Sequence, residues 1–503
     1  MKDLHELGLR NRRAVSMRDV PEEPIDDFRE TVIQTIASGW RLVTFFGMPE
    51  NGDTTRLLAI LADDARGQLG AVTTVVGESY PALTPDCAQA EAFEREIAEQ
   101  CAVLPVGHPW LKPLRRHLPD HRPEGRSNVV LDPEAYSFFR IEGDEVHEVA
   151  VGPVHASIIE PGHFRFQAHG EEILFLEVML GYQHRGVERL LETVSPDRAV
   201  LVAESIAGDT VIGHTGAYCG AMEALARSRK TPRAQSIRGI ALELERLANH
   251  IGDLAAMAGD VAYQPAAAFF GRMRGEYLNL LMTLSGNRYG RGLVRTGGVG
   301  FDLPAAMASE MRGRLENLVA DQNEVAELMF QSASVQGRLE GIGVVSADTC
   351  IDRGFVGPVA RASEVVRDVR YDHPYGIFRF AHIPVSTARA GDVYSRAFVR
   401  WLEIKRSFEF VIDQLAALPR GETRAAMGAL RPDELVVALQ EGWRGEIAHV
   451  VITDGTGAIR RYKVTDPSFH NWSALAVALP GNQISDFPVC NKSFNLSYAG
   501  HDL

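Results

Sequence analysis

The sequence lacks a membrane-spanning apolar run and a secretion signal, and each absence argues against a class of protein. No run of eighteen or more apolar residues occurs among the 503 residues, so no segment is predicted to span a bilayer as a helix. The first thirteen residues mix acids with bases and lack the apolar centre of a secretion signal. We therefore expect a cytoplasmic protein that would serve a membrane process only by docking on integral partners.

Cysteine is scarce and is never clustered. The chain has five cysteines and no C-x-x-C pair, which argues against a disulfide framework and against a self-contained zinc or iron–sulfur site. Each thiol is instead interpreted as a reduced, small, buried apolar side chain. These residues are Cys87, Cys101, Cys219, Cys350 and Cys490.

Positive charge is in deficit. The chain has 52 Lys and Arg against 66 Asp and Glu, a net charge of -14, which disfavours binding to nucleic acid. Residues 47–52 fit neither G-x-G-x-x-G nor the Walker A pattern, so no loop for a nucleotide phosphate is predicted. The hydrophobic content of 45% indicates a globular protein with a sizeable core. The length favours two or three domains.

The first part of the chain is predicted to be a small α/β unit. Residues 31–38 are typical of a helix, residues 40–46 and 56–61 of strands, and residues 88–101 of a helix with one charged face. The polar, proline-bearing segment 121–128 is the best linker candidate, which divides the chain into domains 1–125 and 126–503. A short basic cluster just before this linker is interpreted as a solvent-exposed surface: Arg115, Arg116 and His117.

The second part is predicted to begin with antiparallel strands and to continue as a large helical bundle. Short alternating strands punctuated by glycines follow Tyr136. Apolar residues then recur every three or four positions between Ile237 and Leu254, which indicates a buried helix. Further helices are predicted over 276–289, 307–331 and 395–418, and a hairpin over 448–464. The predicted fold class is therefore α+β.

The order of several sequence runs resembles one family of redox proteins. Residues 93–114 (FEREIAEQCAVLPVGHPWLKPL) resemble the 30 kDa subunit of respiratory complex I. From residue 152 onward the chain resembles the 49 kDa subunit of complex I and the large subunit of group 4 nickel–iron hydrogenases. The fused arrangement is typical of hydrogenase-4 and formate-hydrogenlyase large subunits. Matching runs include GPVH at 152–155, HRGVERL at 184–190, AYCGAMEAL at 217–225, RTGGVGFDLP at 295–304 and EGWRGE at 441–446.

The cysteines that hold nickel in the hydrogenases of this family are absent from both expected places. The resemblance puts the first C-x-x-C pair at Ala207 and Thr210, neither of which has a thiol. The second pair is expected within residues 486–493, where Cys490 is the one thiol. Because nickel–iron centres need soft thiolate ligands, we predict no metal bound by this chain.

The quinone site of complex I is only partly matched. His155 corresponds to the histidine that helps to bind the quinone headgroup, whereas Gly208 stands where its tyrosine partner is expected. His163 and His184 fall in segments around the same cavity, so quinone is a candidate ligand there. The resemblance also brings Glu204, Asp209 and His214 to this cavity, where they are candidates for a proton relay. Ordinary hydrogen bonding in a helical core is the alternative for all six residues.

Two functions remain open at this point. The first is a cofactor-poor core subunit on the inner face of the cell membrane that couples electron transfer to proton or ion translocation. The resemblance implies three partners for it: a small iron–sulfur subunit, a ferredoxin-like subunit with a 4Fe-4S cluster, and antiporter-like membrane subunits. The second is a scaffold or regulatory protein without a redox role.

Overall fold

The structure is a computed structural model that describes residues 4–115, 121–122, 136–154 and 159–503. The strands are β1 (Val15–Ser16), β2 (Arg41–Pro49), β3 (Thr55–Asp63), β4 (Gln68–Val76), β5 (Ser79–Pro81), β6 (Leu104–Val106), β7 (Val146–Val151), β8 (His163–His169), β9 (Glu172–Met179), β10 (Val294–Arg295), β11 (Gly298–Val299), β12 (Glu434–Glu441), β13 (Glu446–Thr453) and β14 (Ile459–Thr465).

The α-helices are α1 (Ile25–Ala37), α2 (Glu91–Cys101), α3 (Val187–Thr193), α4 (Pro196–Ala203), α5 (Val211–Leu225), α6 (Pro232–Asp260), α7 (Gln264–Ser285), α8 (Ala305–Gln331), α9 (Ala333–Leu339), α10 (Ala347–Arg353), α11 (Gly357–Arg361), α12 (Val369–Asp372), α13 (Val393–Ala416), α14 (Pro467–Ala478), α15 (Phe487–Phe494) and α16 (Tyr498–His501). In the described ranges no helix combines the length and the apolar character that crossing a membrane requires. The mixture of helices with several small sheets confirms the predicted α+β class.

The N-terminal unit is built on the antiparallel sheet β2–β3–β4. One face of this sheet, which includes Phe45 and Leu57, packs with Phe28 of α1 and Phe93 of α2. The other face belongs to the main core of the molecule, together with residues of the C-terminal half. The predicted strands and helices of this unit are confirmed, and each strand is longer than predicted.

The charged side of α2 lies inside the protein. Glu94, Arg95, Glu96 and Glu99 are each less than a tenth exposed, and Glu94 accepts hydrogen bonds from the backbone of Leu83 and Thr84. Those two bonds measure 2.7 and 2.9 Å.

The prediction that the basic cluster is exposed is wrong for Arg115. Its side chain is only 1% exposed and pairs with Glu96 at 2.8 Å, so it serves as a buried counter-ion. Arg116 and His117 lie outside the described residues.

The central part contains the predicted β-unit and the helical bundle. Strands β7, β8 and β9 form an antiparallel sheet, and helices α5, α6, α7, α8 and α13 follow. Ile237, Leu244 and Leu254 of α6 are fully buried, as their spacing predicts. The run 295–299 forms the small hairpin β10–β11.

The C-terminal sheet receives its first strand from the start of the chain. The order is β1–β12–β13–β14, and Val15 pairs with Leu435. The predicted hairpin is formed by β13 and β14, in which Ala448 pairs with Thr465. The boundary predicted at residue 125 lies outside the described residues and stays a prediction.

Candidate functional site

The site lies at the N-terminus of α5, where a buried carboxylate caps the helix. The hydroxyl of Thr210, the N-cap residue, makes no capping bond. Glu245 of α6 instead accepts from the backbone N–H groups of Ile212 (2.7 Å) and Gly213 (3.0 Å), which would otherwise lack partners. Burial raises the pKa of Glu245 to about 8, although these two hydrogen bonds act in the opposite direction.

Glycines let α5 approach the C-terminal sheet closely. A Cβ on Gly213 would lie 2.8 Å from Cδ1 of Ile447, and a Cβ on Gly216 would overlap the side-chain amide of Gln440. Larger residues would therefore push the helix away from β12 and β13. The close contact sets His214 of α5 directly against His449 of β13.

His214 lies between an acid and a second histidine. Its Nε2 is 2.9 Å from Oδ2 of Asp466, and its Nδ1 is 3.2 Å from Nε2 of His449. His449 in turn contacts the hydroxyl of Tyr462 through Nδ1 at 2.8 Å. Asp466 is fixed from its other side, because its Oδ1 accepts from the backbone of Ser468 as the N-cap of α14.

Asp209 forms an ion pair at the entrance to α5. Nη1 and Nη2 of Arg444 donate to its two carboxylate oxygens at 2.6 and 2.8 Å. Burial alone would raise the pKa of Asp209, but the charge and hydrogen bonds of Arg444 and the hydroxyl of Thr210 together outweigh it, so the pKa lies below its usual value. Thr210 closes the arrangement, because its hydroxyl oxygen accepts from Nε1 of Trp443 at 3.1 Å and from Arg444 at 3.2 Å.

We name this set the α5 cluster and define it as Asp209, Thr210, His214, Glu245, Arg444 and Asp466. Two of the predicted relay residues, Asp209 and His214, belong to it. Glu204 has other partners: one of its oxygens accepts from Arg295 at 2.6 Å and from the backbone of Gly292 at 2.8 Å. This pair fixes the turn before β10. The role of all three as a relay stays a prediction.

The three candidate quinone histidines are placed differently. His155 lies outside the described residues. His163 starts β8 and is 9% exposed, and its Nδ1 is 3.3 Å from the carbonyl oxygen of Gly152. His184 lies in a turn, where its backbone N–H donates to the carbonyl of Gly181. A quinone cavity formed by these residues stays a prediction.

Cys490, the one thiol in the second expected cysteine pair, is buried beside a cation. The thiol of Cys490 lies beside Arg396, and burial raises its pKa to about 11. Residues 495–500 lie against the α5 cluster instead: Arg444 binds the carbonyl of Asn495, and a Cβ on Gly500 would lie 2.5 Å from the carboxyl carbon of Asp466. Ser497 and Gly500 have the C-x-x-C spacing there, and the placement of this pair at 486–493 stays a prediction.

The donor set therefore does not fit a four-thiolate nickel–iron centre. Ala207 offers no donor atom, and the hydroxyl of Thr210 is engaged by Trp443 and Arg444. The carboxylate of Asp466 fills the space beside Gly500. In the part of the chain that the structure describes, no three His, Cys, Asp or Glu side chains are grouped to hold a metal ion.

Four residues of the site were not predicted from the sequence. Arg444 and His449 lie in or near the run 441–446, which was used only to establish the resemblance. Asp466 precedes a proline and was readable as a helix N-cap, but no local signal connects it with His214. Glu245 lies among apolar residues of α6, and only the packing of α5 shows its role.

Comparisons with known proteins identify the family of this chain. Residues 260–434 and 424–502 match the family profile described as respiratory-chain NADH dehydrogenase, 49 Kd subunit. The carbon monoxide-induced hydrogenase of Rhodospirillum rubrum is 32% identical over 350 residues, which cover 69% of this chain and 97% of that protein.

Two further relatives are a hydrogenase-4 component and a subunit of an NADH-quinone oxidoreductase. Hydrogenase-4 component G of Escherichia coli (strain K12) is 28% identical over 484 residues, 92% of this chain and 84% of that protein. An NADH-quinone oxidoreductase subunit of Dehalococcoides mccartyi (strain BAV1) is 32% identical over 351 residues, 69% of this chain and 95% of that protein. The class is thus that of large subunits in hydrogenase and NADH-quinone oxidoreductase complexes. The chain belongs to the family of complex I 49 kDa subunits and group 4 hydrogenase large subunits.

Proposed function

We propose that this chain is the core subunit of a membrane-bound oxidoreductase complex, in which it handles protons and does not hold nickel. The observation that carries the proposal is the α5 cluster, which fills with hydrogen-bonded side chains the region where hydrogenases of the family place thiolates. The named relatives are hydrogenase and NADH-quinone oxidoreductase subunits. Membership of this family supports an oxidoreductase role for the complex.

Proton handling is supported by the composition of the cluster. A buried acid whose pKa burial raises to about 8 stands near an ionised Asp209–Arg444 pair. His214 and Asp466 lie one hydrogen bond apart in the same region. Acids and imidazoles of unequal affinity for protons, placed in succession, are suited to pass protons at neutral pH. Glu204 would join this function from the neighbouring turn.

The partners in this proposal follow from the relatives. We infer a small iron–sulfur subunit, a ferredoxin-like subunit carrying a 4Fe-4S cluster, and antiporter-like subunits in the membrane, with the chain peripheral on the inner face. Quinone would accept the electrons near His163 and His184. Redox changes at the iron–sulfur partner would drive protons through the α5 cluster and so couple electron transfer to ion or proton translocation.

The test is the composition of the intact complex, purified through an affinity tag on this chain. Iron without nickel, together with an iron–sulfur subunit and antiporter-like subunits, is the expected result of elemental analysis and mass spectrometry. Stoichiometric nickel bound to this chain would overturn the loss of the metal site. A chain that is purified without any redox partner would instead favour a scaffold or regulatory role.

A further inference from the structure

Four buried side chains form one continuous string across α5 and the C-terminal sheet. The order is Asp466, His214, His449 and Tyr462, with contacts of 2.9, 3.2 and 2.8 Å. Each of the four is at most 1% exposed, so their polar atoms depend on one another and not on bulk water. His449 and Tyr462 share a face of the β13–β14 pair, because Tyr462 lies two residues from Val464, the partner of His449.

The chemistry of the string allows only one direction of hydrogen bonding in its resting state. Burial would raise the pKa of Asp466, but its hydrogen bonds with His214 and Ser468 and the positive charge of Arg444 act together against it, so the pKa is lowered and the carboxylate stays ionised. Nε2 of His214 must therefore carry the proton, and Nδ1 of a neutral His214 accepts. Burial lowers the pKa of His449 well below its usual value, so this ring carries one proton, which lies on Nε2. Tyr462 then donates to Nδ1 of His449.

One added proton reverses this pattern, and every ring nitrogen of the two histidines keeps a partner. With both nitrogens of His214 protonated, its Nδ1–H donates to Nε2 of His449. His449 then carries its proton on Nδ1 and donates to Tyr462, whose hydroxyl oxygen accepts. The balance is one proton taken from water, one N–H bond gained at His214, and one proton moved from Nε2 to Nδ1 of His449. No heavy-atom bond changes.

We infer that His449 and Tyr462 are positioning residues that form a two-state tautomer switch and allow His214 to take up one proton beside Asp466. This inference rests on the proposed proton-handling function, because it names the residues that prepare His214 for it. A buried imidazole without such partners would leave an N–H or a lone pair unsatisfied in one of the two states, which disfavours proton uptake.

The experiment is nitrogen NMR of the full chain labelled with ¹⁵N-histidine. Variants His449→Gln and His214→Gln assign the two rings by loss of their signals. With His214 neutral, the proton of His449 is expected on Nε2. In Tyr462→Phe, the Nδ1 signal of His449 is expected to shift because its hydrogen-bond donor is gone, while Nε2 keeps its proton toward His214. His250, whose Nε2 contacts Glu403 at 2.9 Å, is the internal control and should not change.

Two results would overturn the inference. One is a wild-type spectrum in which His449 carries its proton on Nδ1 while His214 is neutral. The other is an Nδ1 signal of His449 that does not shift in Tyr462→Phe. If that variant does not fold, 3-fluorotyrosine at position 462 keeps the size and makes the hydroxyl more acidic, and a shift of the Nδ1 signal of His449 alone is then expected. No such shift would contradict the inference.

These spectra need neither partner subunits nor metal, so they are read independently of the proposed function. If the spectra show the expected tautomers but the chain is purified without a redox partner, the switch is supported. Its proposed use in an oxidoreductase complex is then not supported. If the purified complex contains an iron–sulfur subunit but the spectra contradict the switch, the proposed function stands. His449 and Tyr462 then have no part in it.

Discussion

Individual buried histidines make the stability of this chain depend on pH. His470 of α14 is 8% exposed, and burial lowers its pKa to about 4, with the charge of Glu446 acting in the opposite direction. The unfolded chain would bind a proton at this side chain near its ordinary pKa of about 6.5. Between these two values the unfolded state therefore binds more protons than the native state, so stability falls as the pH falls from about 6.5 to about 4.

His470→Gln tests this linkage. The variant lacks the titrating ring, so its free energy of unfolding should depend less steeply on pH in that window, by up to about 1.4 kcal/mol per pH unit. Urea unfolding at several pH values measures the two slopes. Above pH 7 the two curves should run parallel, because the ring is neutral in both states. Equal slopes between pH 4 and 6.5 would show that native His470 binds its proton normally.

At the residue scale the sequence predicts types of side chain better than their partners. Ala207 and Thr210 were identified because they stand at the two cysteine positions of a known sequence pattern. Asp466 and Arg444 were missed, because they lie more than 230 positions from His214 and Asp209 along the chain. No local periodicity reports contacts across such a distance. The buried Arg115 was misjudged because its counter-ion lies on another element, 19 positions away.

At the level of secondary structure, the α5 cluster depends on the close approach of α5 to the C-terminal sheet. The helix is buried on all sides, and its glycines remove side chains where β12 and β13 pass. Amphipathic spacing does not reveal such a helix, because small and apolar residues occur on all of its faces. By contrast, α6 has both a regular apolar stripe and a proline at its start, and it was predicted well. The start of α7 was missed, although Pro265 near its N-terminus is a start signal.

Gly216→Ala should separate α5 from the sheet. The new Cβ would lie 2.8 Å from the amide carbon of Gln440, and relieving this overlap is expected to cost about 1–3 kcal/mol of unfolding free energy. Gly271→Ala is the matched control, because Gly271 lies within α7 and a Cβ added there would have nothing within 4 Å. The control should be neutral or stabilise by up to about 1 kcal/mol. Chemical denaturation of both variants makes the comparison, and equal effects would contradict close packing at Gly216.

On the scale of the whole molecule, buried charges join the N-terminal unit to the C-terminal sheet. Lys463 of β14 lies between Glu96 of α2 and Glu188 of α3, with its Nζ 2.8 Å from an oxygen of each. Strand β1 adds to the C-terminal sheet, and one face of β2–β3–β4 belongs to the main core. A chain divided near residue 125 would therefore expose apolar surface and leave charges unpaired on both parts. We expect the two parts to unfold together.

Arg41 provides the sharpest test of this cooperation. Its guanidinium donates to both oxygens of buried Glu446 and to Asp64 at 2.8 Å, so Arg41→Met would leave a carboxylate unpaired in the core. Loss of one partner of a buried pair costs about 3–5 kcal/mol. Scanning calorimetry should show a single transition that moves to lower temperature as a whole.

The control for Arg41→Met is an arginine–glutamate ion pair at the surface. Arg389 contacts Glu364 at 3.0 Å, but their side chains are 85% and 55% exposed, and Arg389→Met should change stability by less than about 1 kcal/mol. If Arg41→Met instead split the transition in two, with only the first part shifted, the N-terminal unit would unfold on its own. The buried charges between the units would then stabilise only local contacts.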